Sequence, residues 1–260
     1  MLHLTDLHLD AAENEVRAHF FETVSEYPAD VILIGGDIAD GATSLLYLQH
    51  FAELGKKVYF ILGNHDFYGA SIDVQKQKAK ALAAQEKNLT YLTYSEPVAI
   101  SKQTCLMGHD GWADAREGDF LLSRVCIRDY VEIDELKSRS PVELKEYLHE
   151  LADEATAVCE KKLLQALDEY HKVIFLTHAP PFREACLFQG KVTDDVWAPH
   201  FVSSVMGKML RRVMSQFPQN ECSVLAGHSH HEAKVQILEN LSIEVQESTL
   251  GVPEFHALLV

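Results

Sequence analysis

Five short apolar runs in this 260-residue chain each end in a cluster of polar side chains. One of them, DVILIGGD at residues 30–37, has the length and continuous apolar character of a strand buried on both faces. Helical patterns separate the runs, and this alternation is typical of an α/β fold. Because sites in α/β sheets form beyond the carboxyl ends of the strands, we expect the five clusters to meet at one edge.

The clusters consist of carboxylate, imidazole and amide groups, which suit borderline or hard divalent metals rather than thiophilic ones. They are Asp6 and His8, then Asp37 and Asp40, then Asn64, His65 and Asp66, then His178, and finally His228 and His230. Seven of these ten, residues 6, 8, 37, 64, 178, 228 and 230, are candidate metal donors, which is too many for one catalytic ion that keeps open positions. They suit two ions roughly 3.5–4 Å apart that share a bridging carboxylate.

Spacing within the clusters leads to a further expectation. In an extended stretch, residues two apart point the same way, so Asp6 and His8 can share one ion, as can His228 and His230. Each fragment alone has a simpler explanation, such as a surface turn, a helix cap or a buried core histidine. Only the occurrence of all five in order, each after an apolar run, favours a metal site.

In order, the motifs are D-x-H at Asp6, G-D-x-x-D at Gly36, G-N-H-D at Gly63, a lone His178, and G-H-x-H at Gly227. This ordered set closely resembles the calcineurin-like metallophosphoesterase superfamily and spans nearly the whole chain. The resemblance implies a single domain over residues 1–260. It also implies an α/β fold, a four-layer α/β/β/α sandwich of two mixed β-sheets.

The resemblance assigns roles to the motif residues. It implies that the first metal is held by Asp6, His8 and His230, the second by Asn64, His178 and His228, and that Asp37 bridges both. Asp40 would hold a ligand or a backbone turn in place. His65 and Asp66 would be the catalytic residues, and Asn64 and His65 would contact the substrate. As an imidazolium, His65 would stabilise the developing charge or protonate the leaving oxygen, and Asp66 would orient or charge its ring. A hydroxide bridging the metals would be the nucleophile.

The native ions remain open among Mn, Fe, Zn, Co and Ni, and manganese is favoured. The implied function is a dinuclear metal-dependent hydrolase of phosphate monoesters or diesters. One alternative is a catalytically silent scaffold with the same fold, although such scaffolds typically lack part of the ligand set that is complete here. A nuclease is a further alternative.

Composition and charge limit which binding partners and which cellular location are expected. The net charge of −16 repels a nucleic-acid backbone, so a small phosphorylated substrate is expected and nucleic acid is unlikely. Apolar runs are too short to cross a bilayer, and the first residues lack a signal peptide, which favours the cytoplasm. Five widely spaced cysteines without a CxxC pair suit reduced thiols. The oligomeric state stays open.

Outside the motifs, periodicity predicts helices at residues 42–54, 71–87, 120–136, 140–170 and 202–214. Ser140, Pro141 and Glu143 have the spacing of a helix-starting capping box. The Gly-rich segment at residues 108–119 is a candidate loop lining the substrate cleft, where Arg116 would bind a phosphate. Alternatively, it is a surface loop in which Arg116 pairs with neighbouring acids. Arg183, after His178, is a second candidate phosphate contact.

Overall fold

The computed structural model describes residues 1–258, which form two mixed β-sheets packed between helices. The expected strand-like tail at residues 255–260 is described in part, because residues 259 and 260 lie outside the described range. The strands are β1 Leu2–Leu4, β2 Val31–Gly35, β3 Lys57–Ile61, β4 Leu89–Tyr91, β5 Val98–Ala99, β6 Thr104–His109, β7 Lys172–Thr177, β8 Leu187–Phe188, β9 Lys191–Val192, β10 Glu221–Ala226, β11 Ala233–Leu238, β12 Leu241–Val245 and β13 His256–Ala257.

The first sheet has the order β13-β1-β2-β3-β4, and all of its neighbours are parallel except the edge strand β13. The second sheet has the order β11-β12-β10-β7-β6-β5, with antiparallel strands at its two edges. Parallel central strands place their carboxyl ends at one edge of each sheet, where the polar clusters follow. A small hairpin, β8–β9, lies apart from both sheets.

The helices are α1 Asn14–Glu26, α2 Thr43–Glu53, α3 Ile72–Gln85, α4 Asp129–Glu132, α5 Pro141–Glu169, α6 Ala198–Phe201 and α7 Ser204–Met214. Apolar side chains of α1, α2 and α3 pack on the outer face of the first sheet. Those of α7 and the second half of α5 pack on the outer face of the second sheet. Within residues 1–258, no helix is long and apolar enough to cross a membrane.

A third apolar layer joins the two sheets face to face. Leu33, Tyr59 and Ile61 of the first sheet meet Leu106 and Ile174 of the second. The molecule is therefore layered helix, sheet, sheet, helix, and the expected four-layer α/β/β/α sandwich is confirmed. Residues that face this central layer alternate along each strand with those that face the helices, which explains why the central strands are apolar throughout.

One predicted helix is wrong. Residues 120–136 were expected to be helical, but only Asp129–Glu132 forms a helix there. Local side chains take up the backbone groups instead: Asp119 Oδ1 accepts from the Leu122 N–H, and Ser123 Oγ accepts from the Val125 N–H. Such bonds compete with the helical ladder and turn the chain into an irregular strap.

The predicted start of α5 is confirmed. Ser140 Oγ accepts from the Glu143 N–H, and Glu143 Oε2 accepts from the Ser140 N–H at 2.9 Å, which completes a capping box. Pro141 occupies the first helical position, where no N–H partner is needed. The cap satisfies backbone donors that the helix itself leaves free.

We expect Ser140→Ala to lower the free energy of unfolding by about 1 kcal/mol, because the N-cap acceptor is lost. Urea denaturation followed by circular dichroism measures the change. The matched control is Ser25→Ala, an exposed serine within α1, for which the change should stay within about 0.5 kcal/mol. Equal effects of the two substitutions would contradict the capping role.

Candidate metal centre

Five strand ends bring the predicted ligands to one place. Residues 6 and 8 follow β1, residue 37 follows β2, residue 64 follows β3, residue 178 follows β7, and residues 228 and 230 follow β10. The first three strands belong to one sheet and the last two to the other. The cluster therefore lies where the carboxyl ends of both sheets meet.

Two groups of ligand atoms result. The first ligand group is Asp6, His8, Asp37 and His230, each of which has a ligand atom within 4.8 Å of the others. The second ligand group is Asp37, His178 and His228 within the same limit, together with Asn64, whose Oδ1 lies 3.0 Å from His178 Nε2. Asp37 is common to both groups, which is the arrangement that a bridging carboxylate requires.

The backbone at the ligands is not extended; Asp6 and His8 still share a ligand group as predicted, but the predicted pairing of His228 and His230 is wrong. Asp6, His8, Asp37, His228 and His230 have φ angles of 50°, 41°, 52°, 67° and 57°, in the left-handed region that non-glycine residues rarely adopt. As a result His228 and His230 enter different ligand groups. Each such residue costs of order 1 kcal/mol or more, and such conformations concentrate at functional sites.

Two motif glycines allow the close approach of ligands. A Cβ atom at Gly63 would lie 2.2 Å from Asp37 Oδ1, and one at Gly227 would lie 2.1 Å from Asp6 Oδ2. Any side chain at either position would displace a buried carboxylate. The glycines of G-N-H-D and G-H-x-H are therefore required by packing around the ligands.

The donor set fits a cation. His178 Nδ1 lies 2.9 Å from the Gly35 carbonyl, which can only accept, so Nδ1 carries the proton. In a neutral ring Nε2 then has a lone pair, yet it faces Asn64 Oδ1 at 3.0 Å and Asp37 Oδ2 at 3.3 Å. Three acceptors converge on one point, and only a proton or a metal ion there satisfies all of them.

Electrostatics around His178 point the same way. Burial disfavours its charged form, but the Asp37 carboxylate outweighs burial and raises the pKa of His178 to about 10. The site thus attracts positive charge strongly. Asp6 and Asp37 are both 1% exposed, and buried carboxylates of this kind need a cation or strong hydrogen bonds.

Asp66 does not have the predicted role. Its carboxylate is fully buried and accepts backbone N–H groups of Asp37, Ile38, Ala39 and Gly63 at 2.8–3.3 Å. It ties the ends of β2 and β3 together, and those bonds occupy both of its oxygens. The carboxylate beside the His65 ring belongs instead to Asp40.

The Asp40 carboxylate contacts two other side chains of the site, those of His65 and Arg128. One oxygen lies 2.8 Å from His65 Nδ1, and the other accepts from Arg128 Nη2 at 3.0 Å. The Arg128 guanidinium also lies over the Tyr68 ring, 4.7 Å from its centre. Asp40 was predicted to hold a metal ligand or a backbone turn in place, but its side chain holds the His65 ring instead.

Asp129 fixes the orientation of the Asn64 amide. Asn64 Nδ2 donates to Asp129 Oδ1 at 2.8 Å, so Asn64 Oδ1 faces the second ligand group. Tyr68 Oη donates to the same carboxylate oxygen at 2.7 Å. Sequence reasoning missed Asp129, Arg128 and Tyr68, because they belong to no motif and two of them lie in the segment misread as helix.

A cavity of about 910 Å³, the site cavity, opens above the ligand groups. Its base includes Asp37, Asn64, His65, His228 and His230. Its sides include residues 124–129, most of them from the irregular strap, and residues 186–188, 193, 196, 197 and 201. The base thus comes from strand ends, and these sides come from loops, the short hairpin β8–β9 and the short helices α4 and α6.

The loop at residues 108–119 does not line the site cavity, which corrects that expectation; its residues 111–113 line only a small cavity of about 20 Å³ beside Asn64, His178 and His228. Arg116 pairs with Asp153, 2.8 Å away, and with buried Asp114, so it is held as a structural ion pair. Trp112 is 5% exposed and packs on Phe67. Arg183 likewise donates to Asp195 and to the Thr193 carbonyl, so both arginines proposed from sequence have structural partners.

Comparison with known proteins identifies the class. The family model for calcineurin-like phosphoesterases matches residues 1–232, and the chain belongs to this family. Family membership and the two ligand groups together support a metal-dependent phosphoesterase with two divalent ions. Among curated proteins, no sequence matches significantly.

Solved structures share the fold. Phosphopantetheinyl hydrolase of Mycobacterium tuberculosis superposes with a TM-score of 0.68 at 12% identity, over 96% of this chain and 89% of that one. A dimetal phosphatase of Danio rerio gives 0.62 at 11% identity, over 96% and 87%. A putative 5′-nucleotidase of Staphylococcus aureus gives 0.51 at 12% identity, over 94% of this chain and 47% of that one.

We expect Asp129→Ala to lower the affinity of the second ligand group for its metal ion tenfold to a hundredfold, because the Asn64 amide loses the partner that orients it. Titration calorimetry with Mn²⁺ separates the two binding steps. Asp129→Asn keeps an acceptor oxygen and should lose less metal affinity. Asp134 is an exposed acid nearby, and Asp134→Ala should leave both affinities unchanged. Two unchanged affinities in Asp129→Ala would show that Asn64 is oriented by other contacts.

Proposed function

We propose that this protein hydrolyses phosphate esters of small organic molecules at a two-metal centre. The observation that carries the proposal is the position of Asp37, which belongs to both ligand groups at the base of the site cavity. When bound, two divalent ions supply the Lewis acidity and the activation of water that this hydrolysis requires. Assignment of ligands to each ion follows the two groups described above, with manganese as the favoured metal.

His65 is placed to handle the proton of the leaving group. It lines the site cavity, is 21% exposed, and has Nδ1 held by Asp40, which leaves Nε2 available to a substrate. A ring in this position can donate a proton to the departing oxygen, and the Asp40 carboxylate holds the ring in that orientation. The ring itself is outside both ligand groups.

Arg128 is placed to bind the phosphate. Its guanidinium is pre-oriented by the Asp40 carboxylate and the Tyr68 ring, yet the side chain is 57% exposed and lines the site cavity. Arginine forms paired hydrogen bonds with phosphate oxygens. Arg128 therefore replaces Arg116 as the proposed phosphate contact.

A substrate and metal panel tests the proposal. Aryl phosphate monoesters, aryl diesters and nucleotides would be incubated with the protein loaded with Mn²⁺, Fe²⁺, Co²⁺, Ni²⁺ or Zn²⁺. Hydrolysis of a small ester is expected with at least one metal. Absence of turnover with every metal would favour the silent scaffold, and cleavage of DNA that falls with rising salt would favour a nuclease.

We expect His65→Ala to keep both metals and to lower kcat at least about a hundredfold, because the leaving oxygen loses its proton donor. The measurements are the bound metal content and the steady-state rate with an aryl phosphate. His19→Ala, a histidine 81% exposed on α1, is the matched control and should behave as the unmodified protein. Full turnover of metal-loaded His65→Ala would remove His65 from the mechanism.

A further inference from the structure

The site cavity is much larger than a phosphate group needs. Its volume of about 910 Å³ is near the upper end of the roughly 300–1,000 Å³ typical of small-molecule pockets. The ligand groups and His65 occupy only its base. Most of the space is therefore available to the rest of the substrate.

One side of the cavity is apolar. We call it the apolar wall; its residues are Val125, Ile127, Leu187, Phe188, Val196, Trp197 and Phe201. Three of them are substantially exposed: Phe188 at 59%, Trp197 at 46% and Val196 at 45%. Single exposed apolar residues are ordinary, but several around one concave site mark a binding surface.

The apolar wall is held in place by hydrogen bonds. Ser123 Oγ donates to the Val196 carbonyl at 2.8 Å and so joins the irregular strap to the segment that carries Trp197. The Val196 and Trp197 N–H groups both donate to Asp194 Oδ1. A wall held this way can present a defined surface to a ligand.

A tight turn presents Phe188 to the cavity. Gln189 and Gly190 connect β8 to β9 with φ angles of 50° and 74°, as in the two-residue turns that suit hairpins. The hairpin is short, and Phe188 at its tip stays 59% exposed although it lines the cavity. Trp197 packs against Phe201 with ring centres 6.1 Å apart, which leaves its outer face open.

We infer that the substrate is an amphiphilic phosphate ester: its phosphate lies at the metal centre and its large apolar substituent lies against the apolar wall. This inference rests on the proposed function. Because the wall and the ligand groups line the same cavity, one molecule covers both. A compact polar ester, such as a sugar phosphate, would leave Phe188 and Trp197 in water.

Inhibition by alkylphosphonates tests the inference without requiring that the ester be known. Methyl-, butyl- and octylphosphonate carry the same anionic group and differ only in apolar length. They would compete with an aryl phosphate for the metal-loaded protein, below the concentration at which octylphosphonate forms micelles. Each buried methylene should lower the inhibition constant by up to about fourfold, and we expect at least a tenfold decrease from methyl to octyl.

Substitutions in the apolar wall locate the effect. Trp197→Ala and Phe188→Ala should each reduce the ratio of the methyl to the octyl inhibition constant at least about threefold. Tyr94→Ala removes an aromatic side chain of matching exposure, 45%, outside the cavity and should leave the ratio unchanged. Thermal unfolding of each variant checks that the fold is retained.

The outcomes separate this inference from the proposed function. Hydrolysis of aryl phosphates together with a constant inhibition constant along the series would overturn the inference alone. So would a chain-length effect that survives in both wall variants. A protein that hydrolyses no ester and binds no phosphonate with any metal would overturn the inference and the proposed function together.

Discussion

The metal centre depends on one buried carboxylate that binds no metal. Asp66 accepts four backbone N–H groups and thereby fixes the end of β2 against the end of β3. Asp37 stands on one of these strand ends and Asn64 on the other, so their separation is set by this interaction. A buried carboxylate that lost these bonds would cost several kcal/mol, so the bonds hold the local backbone in this conformation. The left-handed conformation of Asp37 is maintained against its own preference by the same bonds.

The α/β class and the meeting of the polar clusters at one edge could be predicted from local patterns, whereas the four-layer sandwich and the assignment of ligands to each metal came from the family resemblance. Apolar runs identify the central strands, and parallel strands bring their polar ends to one edge wherever those strands lie. The capping box of α5 is local in the same sense, since Ser140 and Glu143 lie three residues apart. The misread segment at residues 120–136 shows the limit. Its apolar spacing resembles a helix, but Ser123 bonds to Val196, and no sequence window includes both residues.

The role of each residue in the metal centre was harder to predict than which residues lie there. Asp66 is adjacent to His65 in sequence, and adjacency suggested that it orients the ring. In a tight turn, however, neighbouring side chains diverge, and the ring meets Asp40, which arrives from the end of β2. Likewise Arg116 was one candidate phosphate contact, but it pairs with Asp114, as the alternative expectation of neighbouring acids had it, and also with the distant Asp153 on α5. Such pairings depend on three-dimensional packing, which residue spacing does not contain.

Asp40 shows how the two parts of the site are connected. The base of the cavity comes from strand ends and carries the chemistry of the class. The sides come from loops and short elements outside the two sheets, and segments of this kind differ most readily between proteins of one fold. Asp40 holds His65 of the base with one oxygen and Arg128 of the side with the other. Its position therefore couples His65, the proposed proton donor, to Arg128, the proposed phosphate contact. In a chain of net charge −16, Arg128 and the two divalent ions would also concentrate positive charge at the site cavity, where the proposed anionic substrate would bind.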